Sequence, residues 1–131
     1  MVKHAKAEAP NECCGLLAGQ DESIKEIYKI QNIPVTDPSA LDLKVPTDRR
    51  FRYVMDPKEQ IGALKKMRKN GSEMLAIYHS HPESEAYPSA TDVRLAFYPD
   101  THYLIISLEK EPVVRAFLIA DEKIMEDVIS S

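Results

Sequence analysis

Residues 78–92 read YHSHPESEAYPSATD and directly follow the apolar run MLAI. Two of the four histidines, His79 and His81, stand one residue apart in it, followed by three acids and a Ser-x-x-Asp. Strand side chains alternate, so residues i and i+2 share a face. Two imidazoles at a strand end are therefore placed to clasp one metal ion. A third ligand has to come from elsewhere, and Asp92 lies beyond a loop long enough to fold back. Ser89 and Asp92, at i and i+3, are neighbours on one face of a helix.

A plainer reading of each residue stands beside this one. SATD is also a capping-box pattern, with Ser89 at the N-cap and an acid three positions on. On that reading capping competes with the metal for the same two side chains. A lone His-x-His is common on surfaces and in cores. Glu12, in PNECCGLLAG (10–19), precedes a buried strand, although glutamate is a poor strand former and gains nothing in a core. It lies either at a wet sheet edge or over a metal-bound water.

The elements that must hold these residues follow from periodicity and punctuation. Residues 2–9 read as a short helix stopped by Pro10. Residues 13–19 (CCGLLAG) form a buried strand, and 23–30 (SIKEIYKI) a second strand paired with it in a hairpin. Residues 32–48 contain Pro34, Pro38 and Pro46 and make a long irregular loop. FRYVM (51–55) alternates like a strand. Asp56 and Pro57 then open a helix with Ile61, Leu64 and Met67 (and Ala63) as its apolar stripe, closed by Asn70-Gly71. Residues 74–78 make a central strand, 82–88 a loop, and 89–97 a helix. Strands at 103–108 and 113–120 form a hairpin, and the C-terminal DEKIMEDVIS is a strand or a short helix. Strands interleaved with helices predict an α/β or α+β domain built on one mixed sheet.

A chain of 131 residues with 44% apolar content has enough to build one core, so one domain is expected. The net charge of −4 argues against a nucleic-acid partner. No apolar run approaches the ~18 residues that span a bilayer, and the N-terminal MVKHAKAEAP lacks the core of a signal peptide. A cytoplasmic protein with no membrane partner is the expectation. Cys13 and Cys14 are adjacent and cannot staple distant segments. Either could in principle bind zinc, but cysteines in a buried strand more often act as small hydrophobes, and that reading is preferred. His4 and His102 lack partners in sequence and are read as structural.

Taken together, Glu12 in PNECCGLLAG and the stretch HSHPESEAYPSATD resemble the JAMM, or MPN-plus, metalloprotease family. Its pattern is a distal glutamate, His-Ser-His-Pro, and Ser-x-x-Asp at a fixed distance, and every position is filled. The resemblance implies a single MPN domain over 1–131, a cytidine-deaminase-like α/β fold with a curved mixed sheet flanked by helices. It implies one catalytic zinc held by His79, His81 and Asp92 with water as fourth ligand. Glu12 would be the general base, and Ser89 would donate to the oxyanion. Ser80 points to the opposite strand face and is read as packing. The compact prokaryotic type implies hydrolysis of peptide or isopeptide bonds at the C-terminus of ubiquitin-fold sulfur-carrier proteins ending in Gly-Gly, or of their conjugates. Loops 32–48 and 82–88 would clamp an extended tail, with Tyr87, Glu83 and Glu85 as contacts. Three rivals differ in what they need. A 2-His-1-carboxylate iron enzyme leaves Glu12 and Ser89 without a role. A non-enzymatic MPN scaffold usually lacks ligands. A deaminase needs a downstream Cys-x-x-Cys.

Overall fold

Two short turns organise the sheet. Strands β1 (Cys14–Gln20) and β2 (Ser23–Ile30) are antiparallel and joined by Asp21 and Glu22, both at positive φ (52° and 64°). Strands β5 (Val113–Ala120) and β6 (Lys123–Asp127) are joined in the same way by Asp121 and Glu122 (50° and 62°). Two central residues in the left-handed region give the type I′ geometry that matches strand twist. Of the C-terminal segment, Lys123–Asp127 is thus a strand, and residues 128–131 lie outside the described residues.

The computed structural model describes residues 1–34 and 48–127. Residues 35–47 of the expected proline-rich loop lie outside the described residues. With β3 (Glu73–His81) and β4 (His102–Ser107), the strands form one six-stranded sheet in the order β2-β1-β3-β4-β5-β6. Only the β3–β4 pair is parallel. A parallel pair requires a crossover, and the crossover here carries α3 (Ala90–Arg94). The histidines are not beyond β3 but are within its last residues, where His79 pairs with Ile105 and His81 with Ser107.

Alternation divides the core between the two faces. One face presents Leu16, Ile77, Tyr103, Ile105 and Phe117, and Ala63 and Met67 of α2 (Pro57–Lys69) cover part of it. The other face presents Leu17, Tyr78, Leu104 and Ile106, covered by Ala5 of α1 (Val2–Glu8). The expected mixed sheet flanked by helices is what the chain adopts. The Tyr78 ring packs against Gly15, where a Cβ would sit 2.3 Å from it. Its hydroxyl hydrogen-bonds His4 Nδ1 at 2.7 Å, which ties α1 down and makes His4 structural.

Three elements differ from expectation. Residues 51–55 form no strand, and only Met55 makes an isolated bridge, to Asn32. Phe51 and Arg52 also exchange sides relative to the expected alternation, Arg52 fully buried and Phe51 52% exposed, while Tyr53 and Met55 still pack against the core. The guanidinium turns inward because Asn32 Oδ1 accepts from its Nη1 at 2.5 Å. On α2, Ala63 and Met67 face the sheet, while Ile61 and Leu64 are 54% and 39% exposed. At 3.6 residues per turn Ile61 lies about 120° around the helix from Met67, so the two cannot share a buried stripe. Helix α3 ends with Leu95 as its C-cap rather than at Phe97. Pro99 disfavours helical dihedrals at Tyr98, whose N–H bonds Tyr103 Oη instead (3.1 Å).

Candidate metal centre

Four buried side chains converge on the α2/α3 face of the sheet: Glu12, His79, His81 and Asp92. One ligand atom from each lies within 4.8 Å of the others. Residues 79 and 81 share a strand face and project together, with their Nε2 atoms 3.1 Å apart. Asp92 Oδ2 lies 3.1 Å from His79 Nε2 and 2.9 Å from His81 Nε2. These three atoms form a nearly equilateral triangle.

Capping and clustering do not compete at Asp92. Ser89 is the N-cap of α3, and a full capping box forms. Ser89 Oγ accepts the Asp92 N–H (3.1 Å), and Asp92 Oδ2 accepts the Ser89 N–H (2.9 Å). A carboxylate oxygen has two lone pairs, so the same Oδ2 takes the cap bond and still faces the imidazoles. Ser89 uses only acceptor capacity in the cap, and its O–H remains able to donate.

His81 Nδ1 lies 2.8 Å from the Glu85 carbonyl, which can only accept, so Nδ1 carries the proton. Neutral His81 then aims its Nε2 lone pair at a carboxylate oxygen. Two electron pairs at that distance need a proton or a cation between them. Burial disfavours the charge on Asp92, yet the two imidazoles outweigh it and hold its carboxyl well below the ordinary range. Burial also lowers the His81 pKa, but its bond to Asp92 reverses the sign and raises it. Glu12 is pushed up to about 9 by burial and then by the Asp92 charge, with Arg52 opposing. Its Oε1 is buried with no hydrogen-bond partner, as is His79 Nδ1. Two carboxylates, one with an orphaned oxygen, and two imidazoles form a donor set that a metal cation would satisfy.

Sequence reasoning missed what holds Glu12. The residue precedes β1 and is outside its ladder. Its N–H donates to the Arg49 carbonyl (2.9 Å), and its carbonyl accepts from Asn32 Nδ2 (2.9 Å). Asn32 Nδ2 also donates to the Arg52 carbonyl (3.0 Å), and Oδ1 accepts from Arg52 Nη1 and Val54 N (3.0 Å). On the other side, Cys13 N–H donates to Ser80 Oγ (2.7 Å) and Ser80 N–H to the Cys13 carbonyl (3.1 Å). Ser80, facing away from the histidines, therefore packs and pins the segment that carries Glu12. An asparagine heading a proline-rich stretch reads as a turn residue, so no local signal marks Asn32.

A family model described as prokaryotic homologs of the JAB domain matches residues 1–120. This chain belongs to that family. The JAMM/MPN resemblance read from Glu12 and residues 79–92 is thereby borne out. Among curated proteins, this JAB-domain chain is 35% identical to the CysO-cysteine peptidase of Mycobacterium tuberculosis, across 99% of this chain and 83% of that one. It is 34% identical to the desampylase of Haloferax volcanii, across 79% and 67%. It is 35% identical to a probable TtuB-protein conjugate cleaving protease of Thermus thermophilus, across 90% and 68%. The solution structure of a Desulfitobacterium hafniense protein superposes with TM-score 0.77 at 41% identity, covering 97% of this chain and 82% of that one. The crystal structure of a JAB1/MPN domain protein from Archaeoglobus fulgidus shares the fold, with TM-score 0.57 at 17% identity, covering 98% and 84%.

The remaining candidates in this JAB domain are structural or peripheral. Burial raises the Cys13 thiol to about 11 and the Cys14 thiol further. Cys14 Sγ donates to the Ile30 carbonyl (3.4 Å), and neither sulfur belongs to the ligand group. His102 pairs with Asp127 at 2.7 Å on the surface. Loop 82–88 borders the site: Glu85 supplies the carbonyl for His81, Ser84 accepts from Ser107 Oγ (2.6 Å), and exposed Tyr87 rests edge-on against Phe117. Among the described residues no helix is long and apolar enough to cross a membrane.

Proposed function

We propose that this JAB-domain protein is a zinc metallopeptidase. Its substrates are peptide or isopeptide bonds at the C-terminus of a ubiquitin-fold sulfur-carrier protein or of its conjugates. We take 1–131 as one catalytic domain working in the cytoplasm. The observation that carries the reading is the buried, unpartnered Oε1 of Glu12 beside the His79–His81–Asp92 triangle. An iron facial triad gives that carboxylate nothing to do.

His79, His81 and Asp92 would hold the ion. Tetrahedral zinc with nitrogen and oxygen ligands at ~2.0–2.1 Å separates them by about 3.3 Å, close to the 2.9–3.1 Å found here. Zinc in this place supplies Lewis acidity and brings a water's pKa to about 7. Glu12 accepts the proton of the attacking water and passes it to the departing amine as the C–N bond breaks. The second water proton also ends on the amine, so the products are a carboxylate and an ammonium group and the proton count closes. The Ser89 O–H donates to the oxygen that gains charge. The Glu85 carbonyl keeps the His81 Nε2 lone pair turned toward the ion. The names of the three relatives, each a peptidase, desampylase or conjugate-cleaving protease, support the substrate class.

The test is incubation of the zinc-loaded protein with a carrier extended beyond Gly-Gly, read by mass. Cleavage after the second glycine is expected from the wild type and none from Glu12→Gln with its zinc retained. Cleavage that survives both that substitution and a chelator overturns the proposal.

A further inference from the structure

The two histidines of the triangle are not held alike. His81 has the second hydrogen bond that orients metal-ligating imidazoles, from Nδ1 to the Glu85 carbonyl. His79 has none: its Nδ1 is buried and without a partner. The ring torsion of histidine is intrinsically broad, so an imidazole without that bond can swing its Nε2 out of line.

The Tyr53 ring lies on the His79 ring, with centroids 4.6 Å apart and planes 26° from parallel. That is the offset-stacked geometry aromatic pairs prefer. Turning the imidazole about its Cβ–Cγ bond would drive its edge into the tyrosine face. Tyr53 is itself fixed at the backbone. Val54 N donates to Asn32 Oδ1 (3.0 Å), and the Val54 carbonyl accepts from Ile33 N (2.9 Å). On the other side, the His81 ring meets His79 at 61° with centroids 5.0 Å apart.

We propose that Tyr53 is the positioning residue for His79, its ring face taking the part that the Glu85 carbonyl plays for His81. The inference rests on His79 being a zinc ligand, as in the proposed function. It makes the ring the active feature and the hydroxyl dispensable.

The test measures zinc affinity by competition with a chromophoric chelator, together with the thermal midpoint with and without zinc. Loss of a partner that orients a ligand typically weakens metal binding 10–100-fold. Tyr53→Leu is expected to fall by that factor and to show a correspondingly smaller zinc-induced rise in midpoint. Tyr53→Phe, which keeps the ring, is expected to bind within about 2-fold of wild type. General loss of packing would lower the metal-free midpoint and leave the zinc-induced rise intact. Wild-type affinity in Tyr53→Leu overturns the proposal. So does an affinity loss in Tyr53→Phe, a variant conservative enough to fold even where the leucine does not. Failure of the wild type to bind zinc would instead overturn the metallopeptidase reading beneath it.

Discussion

Removing Asn32 tests how the general base is held in place. Its amide makes four bonds of 2.5–3.0 Å: to the Glu12 and Arg52 carbonyls from Nδ2, and from Val54 N and Arg52 Nη1 to Oδ1. Three are neutral and contribute about 1 kcal/mol each, and the fourth, to a guanidinium, about 2 kcal/mol. Asn32 is half-buried, so water replaces part of that total in Asn32→Ala. The expected loss is about 2–4 kcal/mol, or roughly 10 °C in midpoint for a chain of this length. Asn32→Asp separates the two ends of the clamp. It keeps acceptors for Arg52 and Val54 but turns an oxygen toward the Glu12 carbonyl, so it costs less stability while still freeing Glu12. Urea unfolding and steady-state kinetics on the zinc-loaded variants read both effects. In both variants kcat should fall with KM nearly unchanged. In a Glu12→Gln background neither substitution should lower kcat further, because the group it positions is gone. Stability within about 0.5 kcal/mol of wild type together with wild-type kcat would refute the clamp.

Other expectations follow from the same geometry. In the metal-free protein Glu12 holds its proton up to about 9, against an ordinary value of 4.5. The folded state thus binds a proton that the unfolded state releases, and stability falls as pH rises through that window. Urea midpoints at pH 5 and pH 8 in chelator should show the decline in wild type and little of it in Glu12→Gln; equal slopes would remove the assignment. His79→Ala and Asp92→Ala should each purify without stoichiometric zinc, and full zinc content by elemental analysis in either strikes that residue from the ligand set. Glu22 and Glu122 occupy left-handed backbone that costs a non-glycine residue roughly 1 kcal/mol. Glu22→Gly and Glu122→Gly should each raise stability by about 0.5 kcal/mol once unfolded-chain entropy is subtracted; a loss in both would show that the glutamates are otherwise stabilised.

The parts of the fold legible in the sequence were those whose signals are local. Asp56-Pro57 marks the start of α2, and short apolar runs bounded by turn residues mark the buried strands. The chemistry of the site was legible for a related reason. His79 and His81 need only period two, and Ser89 and Asp92 only one helical turn, to come together. Non-local partners were not legible. Arg52 reads as the outward residue of an alternating strand until Asn32, twenty residues earlier in sequence, gives its guanidinium a buried acceptor. Tyr53 reads only as one residue of an alternating strand, and only the folded chain lays it on His79. The stripe of α2 failed for a different reason: Ile61 and Leu64 fit one helical face and Ala63 and Met67 another, and residue size favoured the wrong face.

The tripeptide His79-Ser80-His81 serves both sides of one strand, with two rings toward the ion site and one hydroxyl fastening the segment that bears Glu12. That division makes β3 intolerant of insertion and deletion. Gain or loss of a single residue upstream in the strand would turn the rings toward α1 and the hydroxyl toward the ion, separating base and ligands in one step. Length variation among chains of this architecture should therefore collect in the connections. Within β3 itself, change is confined to substitution.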